Sequence, residues 1–321
     1  MKKKLKEIFN KIKKYVIKTH KNVKYVTKKC NKFYLVILFD MAYSFLRYGV
    51  SQEEYKRFEF YKIQGEKRKT YLTIEKHYLY KRKLYRTKDL SFLKNKEKFY
   101  SKFNSFISRE ILNVNKISYK EYEELVKENN KLICSDERGS GFVLFDSSKF
   151  RSPAFMLEKI KKEKLFLVEK AIIPHKSFEK ITDELVTLSI ITVLTSNSVE
   201  ILGSTVKFLE DGEELKGYVD YDEGVIKGSF RDNKGESYTK KNADGFKIPL
   251  LKEAIKIAKE CAEATPDVRE VEWNFCISSK KVYLMNANLW EDVMFLQTPE
   301  YLVRRNGILP RYKDMMFEIR G

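Results

Sequence analysis

Three asparagine side chains toward the C-terminal end of the chain stand at spacings that bring them together. Two short runs of strand-forming residues, Val271–Ile277 and Val282–Asn288, flank a polar turn, which is typical of a β-hairpin. Because strand side chains alternate between faces, Asn286 and Asn288 share one face, and closing the hairpin places Asn274 beside them. Amide carbonyl oxygens can coordinate a hard cation but contribute no negative charge. The sequence therefore predicts a cluster of neutral oxygen ligands.

This hairpin resembles the metal-binding hairpin of ATP-grasp enzymes, in particular the branch called sugar-transfer-associated ATP-grasp. That branch carries a W-D pair, a turn and an L-I-E-x-N run, and Trp273-Asn274 and Leu284–Asn288 stand in the same order and spacing. The resemblance implies a degenerate magnesium site at Asn274, Asn286 and Asn288, in which both metal-binding carboxylates of the family, at the first two positions, have become amides.

Earlier segments resemble the parts of the family that hold the nucleotide phosphates. Asn95-Lys96 resembles the D-K pair that opens the ATP-grasp unit, which implies that Lys96 points at phosphate oxygens. A loop between two strand-like runs resembles the family's glycine-rich loop and implies phosphate contacts at Gly139, Ser140 and Gly141. An ordinary hairpin turn explains these three residues equally well.

The segment Leu165–His175 resembles the hinge between the two lobes of the fold. There the resemblance assigns the ribose hydroxyls to Glu169, because a carboxylate can accept two hydrogen bonds from a diol, and adenine to the backbone that follows, from Lys170 onward. The alternative for Glu169 is a strand-end carboxylate in water. A later strand resembles the family's N-T-x-R run and retains its threonine as Thr187.

Four charged groups that the family places at the phosphates are absent together. They are the two hairpin carboxylates, a glycine-loop lysine expected at Cys134 or Ser135, and a strand arginine whose position is Ser189. The carboxylates just past the hairpin, Glu291 and Asp292, could replace one of these groups. The chain is therefore either an ATP- and magnesium-dependent carboxylate–amine ligase with an attenuated metal site or a catalytically inactive pseudo-ATP-grasp scaffold, and its catalytic residues stay unassigned.

Composition predicts a globular protein of the cytoplasm. Of 321 residues, 43% are hydrophobic and 34% charged, and the longest apolar run, Leu35–Phe39, is far too short to span a bilayer. The basic start continues without the apolar core of a secretory signal. Four cysteines without paired spacing and three histidines contain no zinc motif, so separate reduced thiols are expected.

The net charge of +19 is concentrated at the start of the chain. Residues 1–34 hold thirteen lysines against one acidic residue, Glu7. Apolar residues recur there at helical spacing, namely Leu5, Ile8, Phe9, Ile12, Tyr15 and Val16. Such a helix attaches to an anionic membrane surface or packs on its own domain with a solvated lysine face. Nucleic-acid binding is less favoured because the charge is lysine without an arginine-rich patch.

These observations together predict an α+β ATP-grasp fold with two lobes around a nucleotide cleft, preceded by a basic helical region. The predicted domains are 1–34 (amphipathic helix), 35–93 (helical region) and 94–321 (ATP-grasp), with a lid at about 131–170 and a C-terminal lobe at about 171–321. The family implies a role in capsule or exopolysaccharide biosynthesis with a sugar- or glycan-linked carboxylate as acceptor. The alternative is an inactive scaffold or a membrane-surface adaptor.

Overall fold

The computed structural model of the chain describes residues 2–85, 90–107, 111–136, 142–289 and 293–318. The α-helices in these ranges are α1 (Lys2–Cys30), α2 (Tyr34–Tyr48), α3 (Gln52–Arg57), α4 (Ile74–Lys81), α5 (Ser91–Lys94), α6 (Lys96–Lys102), α7 (Asn104–Ile107), α8 (Tyr119–Glu128), α9 (Pro153–Lys162), α10 (Leu251–Glu263) and α11 (Leu309–Glu318). The β-strands are β1 (Ile111–Asn113), β2 (Lys131–Ser135), β3 (Phe142–Asp146), β4 (Leu167–Lys170), β5 (Thr187–Leu194), β6 (Val199–Glu210), β7 (Glu213–Asp220), β8 (Val225–Arg231), β9 (Ser237–Tyr238), β10 (Glu270–Ile277) and β11 (Val282–Asn288).

The chain divides into two compact units. The first unit is formed by Met1–Leu84 together with Asp292–Gly321, and the second by Tyr85–Glu291. This division groups the C-terminal segment with the N-terminal one. The domain boundaries at 34, 93 and within 94–321 stay predictions.

The first unit is helical and has an aromatic core. Buried rings pack at centroid distances of 4.9 Å between Phe58 and Tyr71 and 5.2 Å between Phe60 and Tyr71. The side-chain amide of Gln297 donates to the carbonyl of Leu72 and accepts from its N–H, both at 2.8 Å. These two bonds fix the C-terminal segment to the N-terminal one within this unit.

The second unit contains two antiparallel sheets. The four-stranded sheet has the order β1-β4-β2-β3, and the seven-stranded sheet has the order β11-β10-β5-β6-β7-β8-β9. Helix α10 packs on β5, β6 and β10 through a buried stripe of Leu251, Ala254, Ala258, Cys261 and Ala262. The stripe recurs every three or four residues and is what makes α10 amphipathic.

The predicted hairpin is confirmed as β10 and β11. Asn274 pairs with Asn286 and Glu272 with Asn288, and a bulge follows Asn274. All eight residues of β10 are buried, because this strand lies between β5 and β11. Trp273 anchors it by donating from its indole nitrogen to Thr192 at 2.8 Å.

In the described part of the chain, no helix is both long and apolar enough to cross a bilayer. The four cysteines are free thiols, and those of β2, α10 and β10 are buried. Burial raises the pKa of the Cys134 thiol to about 12, so this side chain is a protonated core residue.

Candidate functional site

A cavity of about 320 Å³ lies between the two sheets of the second unit. Ile133 of β2 lines one side, and the seven-stranded sheet with the segment before β5 lines the other. Of the predicted site residues, the structure brings four to this cavity: Thr187, Asn274, Asn286 and Asn288. They come from three neighbouring strands, which explains why their side chains meet.

Two consecutive hydrogen bonds, called here the amide chain, link Ser189, Asn274 and Asn286. The Ser189 hydroxyl donates to the Asn274 amide oxygen at 2.5 Å, and the Asn274 amide nitrogen donates to the Asn286 amide oxygen at 2.7 Å. Strand pairing of Asn274 with both Ser189 and Asn286 imposes these contacts. Both amide oxygens therefore already accept a hydrogen bond from the protein.

The same cavity region contains an ion pair that the sequence analysis missed. Glu272 is 6% exposed, and its carboxylate pairs with the Lys207 ammonium and accepts a hydrogen bond from the Asn288 amide at 3.3 Å. Burial alone would raise the pKa of the Glu272 carboxyl, but the charge and hydrogen bond of Lys207 outweigh it and hold that pKa below its ordinary value. Glu272 precedes Asn274 by two residues, so strand alternation could have identified it.

The described donor set does not fit a resident magnesium ion. Magnesium needs anionic oxygen ligands in near-octahedral geometry. Among the residues that the structure describes, no group of three or more His, Cys, Asp or Glu side chains is placed to hold a metal. Glu272 is neutralised by Lys207, and each amide oxygen of the amide chain is uncharged and already accepts one hydrogen bond. Glu291 and Asp292 lie outside the described residues.

The two residues predicted to contact phosphate and ribose pair with each other. The Lys96 ammonium lies 2.7 Å from the Glu169 carboxylate and 3.0 Å from the Ser135 hydroxyl, and the two charged side chains are only 4% and 1% exposed. Tyr100 adds its ring, 5.2 Å from the ammonium. For either residue to bind a ligand, this pair would have to open; their nucleotide roles stay predictions.

The remaining predicted residues lie elsewhere. Lys170 lines a second cavity, of about 660 Å³, with the hinge residues that follow it, the end of α8 and the hairpin turn. The His175 N–H donates to the Ile277 carbonyl at 2.8 Å, which holds the hinge segment against β10. Gly139, Ser140 and Gly141 lie outside the described residues.

Two antiparallel sheets joined by a hinge, with a cavity between them, are the lobes and cleft of an ATP-grasp fold. The fold class predicted from the sequence is thus confirmed. The family model "Sugar-transfer associated ATP-grasp" matches residues 152–315, and the chain belongs to this family.

Several solved structures are similar to this chain at low identity. N5-carboxyaminoimidazole synthase from Aspergillus clavatus in complex with ADP is 12% identical with a TM-score of 0.40, covering 62% of this chain and 44% of that one. An L-amino acid ligase from Bacillus licheniformis is 12% identical with a TM-score of 0.38, covering 68% and 48%. The ATP-grasp ligase PsnB with its minimal precursor is 7% identical with a TM-score of 0.44, covering 74% and 63%. The chain thus spans less than half the length of the first two. The comparison with curated proteins gives no match.

Proposed function

We propose that this chain binds ATP in the cavity between its two sheets and acts in the cytoplasm, in the biosynthesis of capsule or exopolysaccharide. The proposal is supported by one observation: Thr187 and the three hairpin asparagines all line that cavity. The chain also belongs to the sugar-transfer-associated ATP-grasp family. The family reaction is ATP-dependent ligation of a carboxylate to an amine. A sugar- or glycan-linked carboxylate is the corresponding acceptor.

The second candidate is a pseudoenzyme that binds nucleotide without turning it over. It is favoured by the amide chain, which stands where the family has metal-binding carboxylates. Lys207 lines the cavity, and its ammonium group can bind a phosphate directly if its ion pair with Glu272 breaks. Phosphoryl transfer depends on neutralising charge that develops on the phosphate oxygens, and one ammonium supplies less of it than a metal ion with lysine and arginine. We favour this candidate.

Calorimetric titration of the full chain with ATP, with and without magnesium, tests both candidates. We expect weak binding whose dissociation constant changes by less than about threefold with magnesium, roughly 0.7 kcal/mol or less, and no release of ADP or phosphate. Leu185→Trp, which fills the cavity, should abolish the binding heat, whereas Val303→Trp in the other unit should not. Strong magnesium-dependent binding with turnover would show a catalytically active site and exclude the pseudoenzyme.

We further propose that residues 1–34 attach the chain to an anionic membrane surface. The two alternatives for this segment, packing on the domain and attachment to a membrane, apply to different halves of α1. Its C-terminal half packs on its own unit, where Val23 and Val26 are fully buried and Asn22 donates to Gln52 at 2.9 Å. Its N-terminal half leaves the apolar stripe exposed, at Phe9, Ile12, Tyr15 and Val16. Each lysine near an anionic surface contributes about 1 kcal/mol.

Deleting residues 1–17 from the full chain should remove most binding to phosphatidylglycerol-containing vesicles and leave the melting temperature nearly unchanged. Deleting residues 1–34 should lower the melting temperature as well, because it removes the buried Val23 and Val26. Vesicle co-sedimentation and thermal denaturation measure the two effects. If the shorter deletion leaves vesicle binding intact, residues 1–17 are a solvated helix and the attachment proposal is wrong.

A further inference from the structure

Helix α2 is apolar on the side that faces away from its own core. Leu35, Phe39, Ala42 and Leu46 follow one another at intervals of four, three and four residues, which places them on one face of an α-helix. All four are exposed, Phe39 by 70% and Leu46 by 83%. This line of residues, called here the α2 outer face, is about 16 Å long and carries no charge.

The opposite side of α2 is already used. Ile37, Met41 and Ser44 are buried against the first unit. The Arg68 guanidinium binds both oxygens of the Asp40 carboxylate, at 2.6 and 2.7 Å, and donates to the Ser44 hydroxyl at 3.2 Å. Burial would raise the pKa of the Asp40 carboxyl, but the hydrogen bonds of Arg68 and Tyr55 lower it, so the pair is ionised at neutral pH.

This pair fixes the rotation of the helix. A bidentate arginine–carboxylate contact is directional, and turning α2 to bury its outer face would break the contact and expose Ile37 and Met41. The α2 outer face is therefore not an alternative core that the unit can cover by itself. An amphipathic surface helix normally presents polar residues here. Its apolar surface is not covered by the described residues of the first unit and is open to an occupant.

Charge complementarity selects an anionic lipid bilayer as that occupant. Helix α2 lies next to α1. Residues 1–34, which include α1, hold thirteen lysines and one acidic residue. Phe33, at the N-cap of α2, is 86% exposed. At fifteen residues, α2 is too short to span the hydrocarbon core. Apolar side chains flanked by lysines are typical of helices that lie in the headgroup region of a membrane.

We propose that α2 inserts its outer face into the boundary between headgroups and acyl chains of an anionic bilayer, while the lysines of α1 supply the attraction. This rests on the membrane part of the proposed function and adds the inserting element. It places the helix parallel to the membrane plane, with the Asp40–Arg68 pair on the protein side.

Vesicle binding of the full chain at two salt concentrations separates insertion from charge attraction. At about 1 M salt the screening length falls to about 3 Å, which removes lysine attraction but not apolar contact. We expect the unaltered chain to retain measurable binding to phosphatidylcholine–phosphatidylglycerol vesicles there. Phe39→Ser with Leu46→Ser should weaken partitioning at least about tenfold at low salt and leave at high salt only what the exposed apolar stripe of α1 contributes, because moving both apolar side chains out of water is favourable.

A matched control uses exposed apolar residues elsewhere in the same unit. Val303→Ser with Phe317→Ser removes comparable exposed surface and should leave vesicle binding unchanged. For depth, Phe39→Trp should show emission shifted to the blue and quenched by lipids with brominated acyl chains, measured as the difference from the chain with its two native tryptophans. Val303→Trp should show neither effect.

Three results would overturn the inference. Salt could release the unaltered chain and the Phe39→Ser, Leu46→Ser variant equally, with no quenching, in which case the contact is electrostatic and α2 does not insert. The variant could keep full vesicle binding while sedimentation velocity shows that a dimer has become a monomer, which would assign the α2 outer face to a second copy of the chain. Absence of any vesicle binding would refute both the membrane attachment and the insertion, while the ATP titration would still stand on its own.

Discussion

Asn274→Asp combined with Asn286→Glu should make ATP binding at the proposed nucleotide site depend on magnesium. The two carboxylates replace the amide chain with two negative charges opposite each other on neighbouring strands. Without a metal ion they repel, so the variant should melt at a lower temperature than the unaltered chain. Magnesium should restore the melting temperature and tighten ATP binding by about tenfold or more, since it binds only the folded state.

Each single substitution should achieve less than half of this effect in free energy, because both ligands share one ion. A control with the same added charge on the surface, Asn197→Asp with Asn104→Glu, should show no response to magnesium. Calorimetry and thermal denaturation, each with and without magnesium, measure the outcome. Equal responses of the double variant and the control would mean that the hairpin is not a degenerate metal site. Turnover is not expected to return, because the family's lysine and arginine are still missing.

Lys96→Met should destabilise the fold by about 3–5 kcal/mol, because it leaves the Glu169 carboxylate buried without its partner. Both side chains are almost completely shielded, and the ammonium also donates to Ser135. Replacing both members, Lys96→Met with Glu169→Leu, should recover most of the loss, since a buried ion pair is often no more stabilising than apolar residues of similar size. Urea denaturation of the three variants measures these differences.

An exposed pair of the same residue types provides the control. Lys127 and Glu123 are 2.9 Å apart on α8 with side chains 66% and 33% exposed, and Lys127→Met should leave the urea midpoint nearly unchanged because water screens this pair. If Lys96→Met destabilises the fold no more than Lys127→Met does, the Lys96–Glu169 pair is not the buried ion pair described above. The double variant also tests the nucleotide role predicted for these residues: unchanged ATP affinity would mean that the pair is structural only.

The hairpin was predictable from the sequence because its information is local. Alternation along two short strands and a polar turn between them determine that Asn274 lies beside Asn286. The Lys207–Glu272 pair was missed for the opposite reason, since it depends on the register of β5, β6 and β10. Glu291 and Asp292, the carboxylates predicted as substitutes, follow the hairpin, whereas Glu272 lies within its first strand.

Other features required the tertiary structure for different physical reasons. Lys96 and Glu169 each have a plausible ligand role when considered alone, and their mutual neutralisation emerges only when residues 73 positions apart meet. Hydropathy alone does not predict which side of α2 is buried. An apolar segment such as Leu35–Phe39 predicts a core, and the sequence does not indicate which of its two sides the core covers.

The double hydrogen bond between Gln297 and Leu72 has a consequence for the order in which the chain matures during synthesis. The two residues are 225 positions apart, so at about 5–20 residues per second Gln297 is made roughly 10–45 s after Leu72. The second unit, Tyr85–Glu291, is continuous in sequence and is synthesised within that interval. The first unit begins to emerge from the ribosome first but is completed last, and its apolar, lysine-flanked helices are available to a nearby membrane throughout.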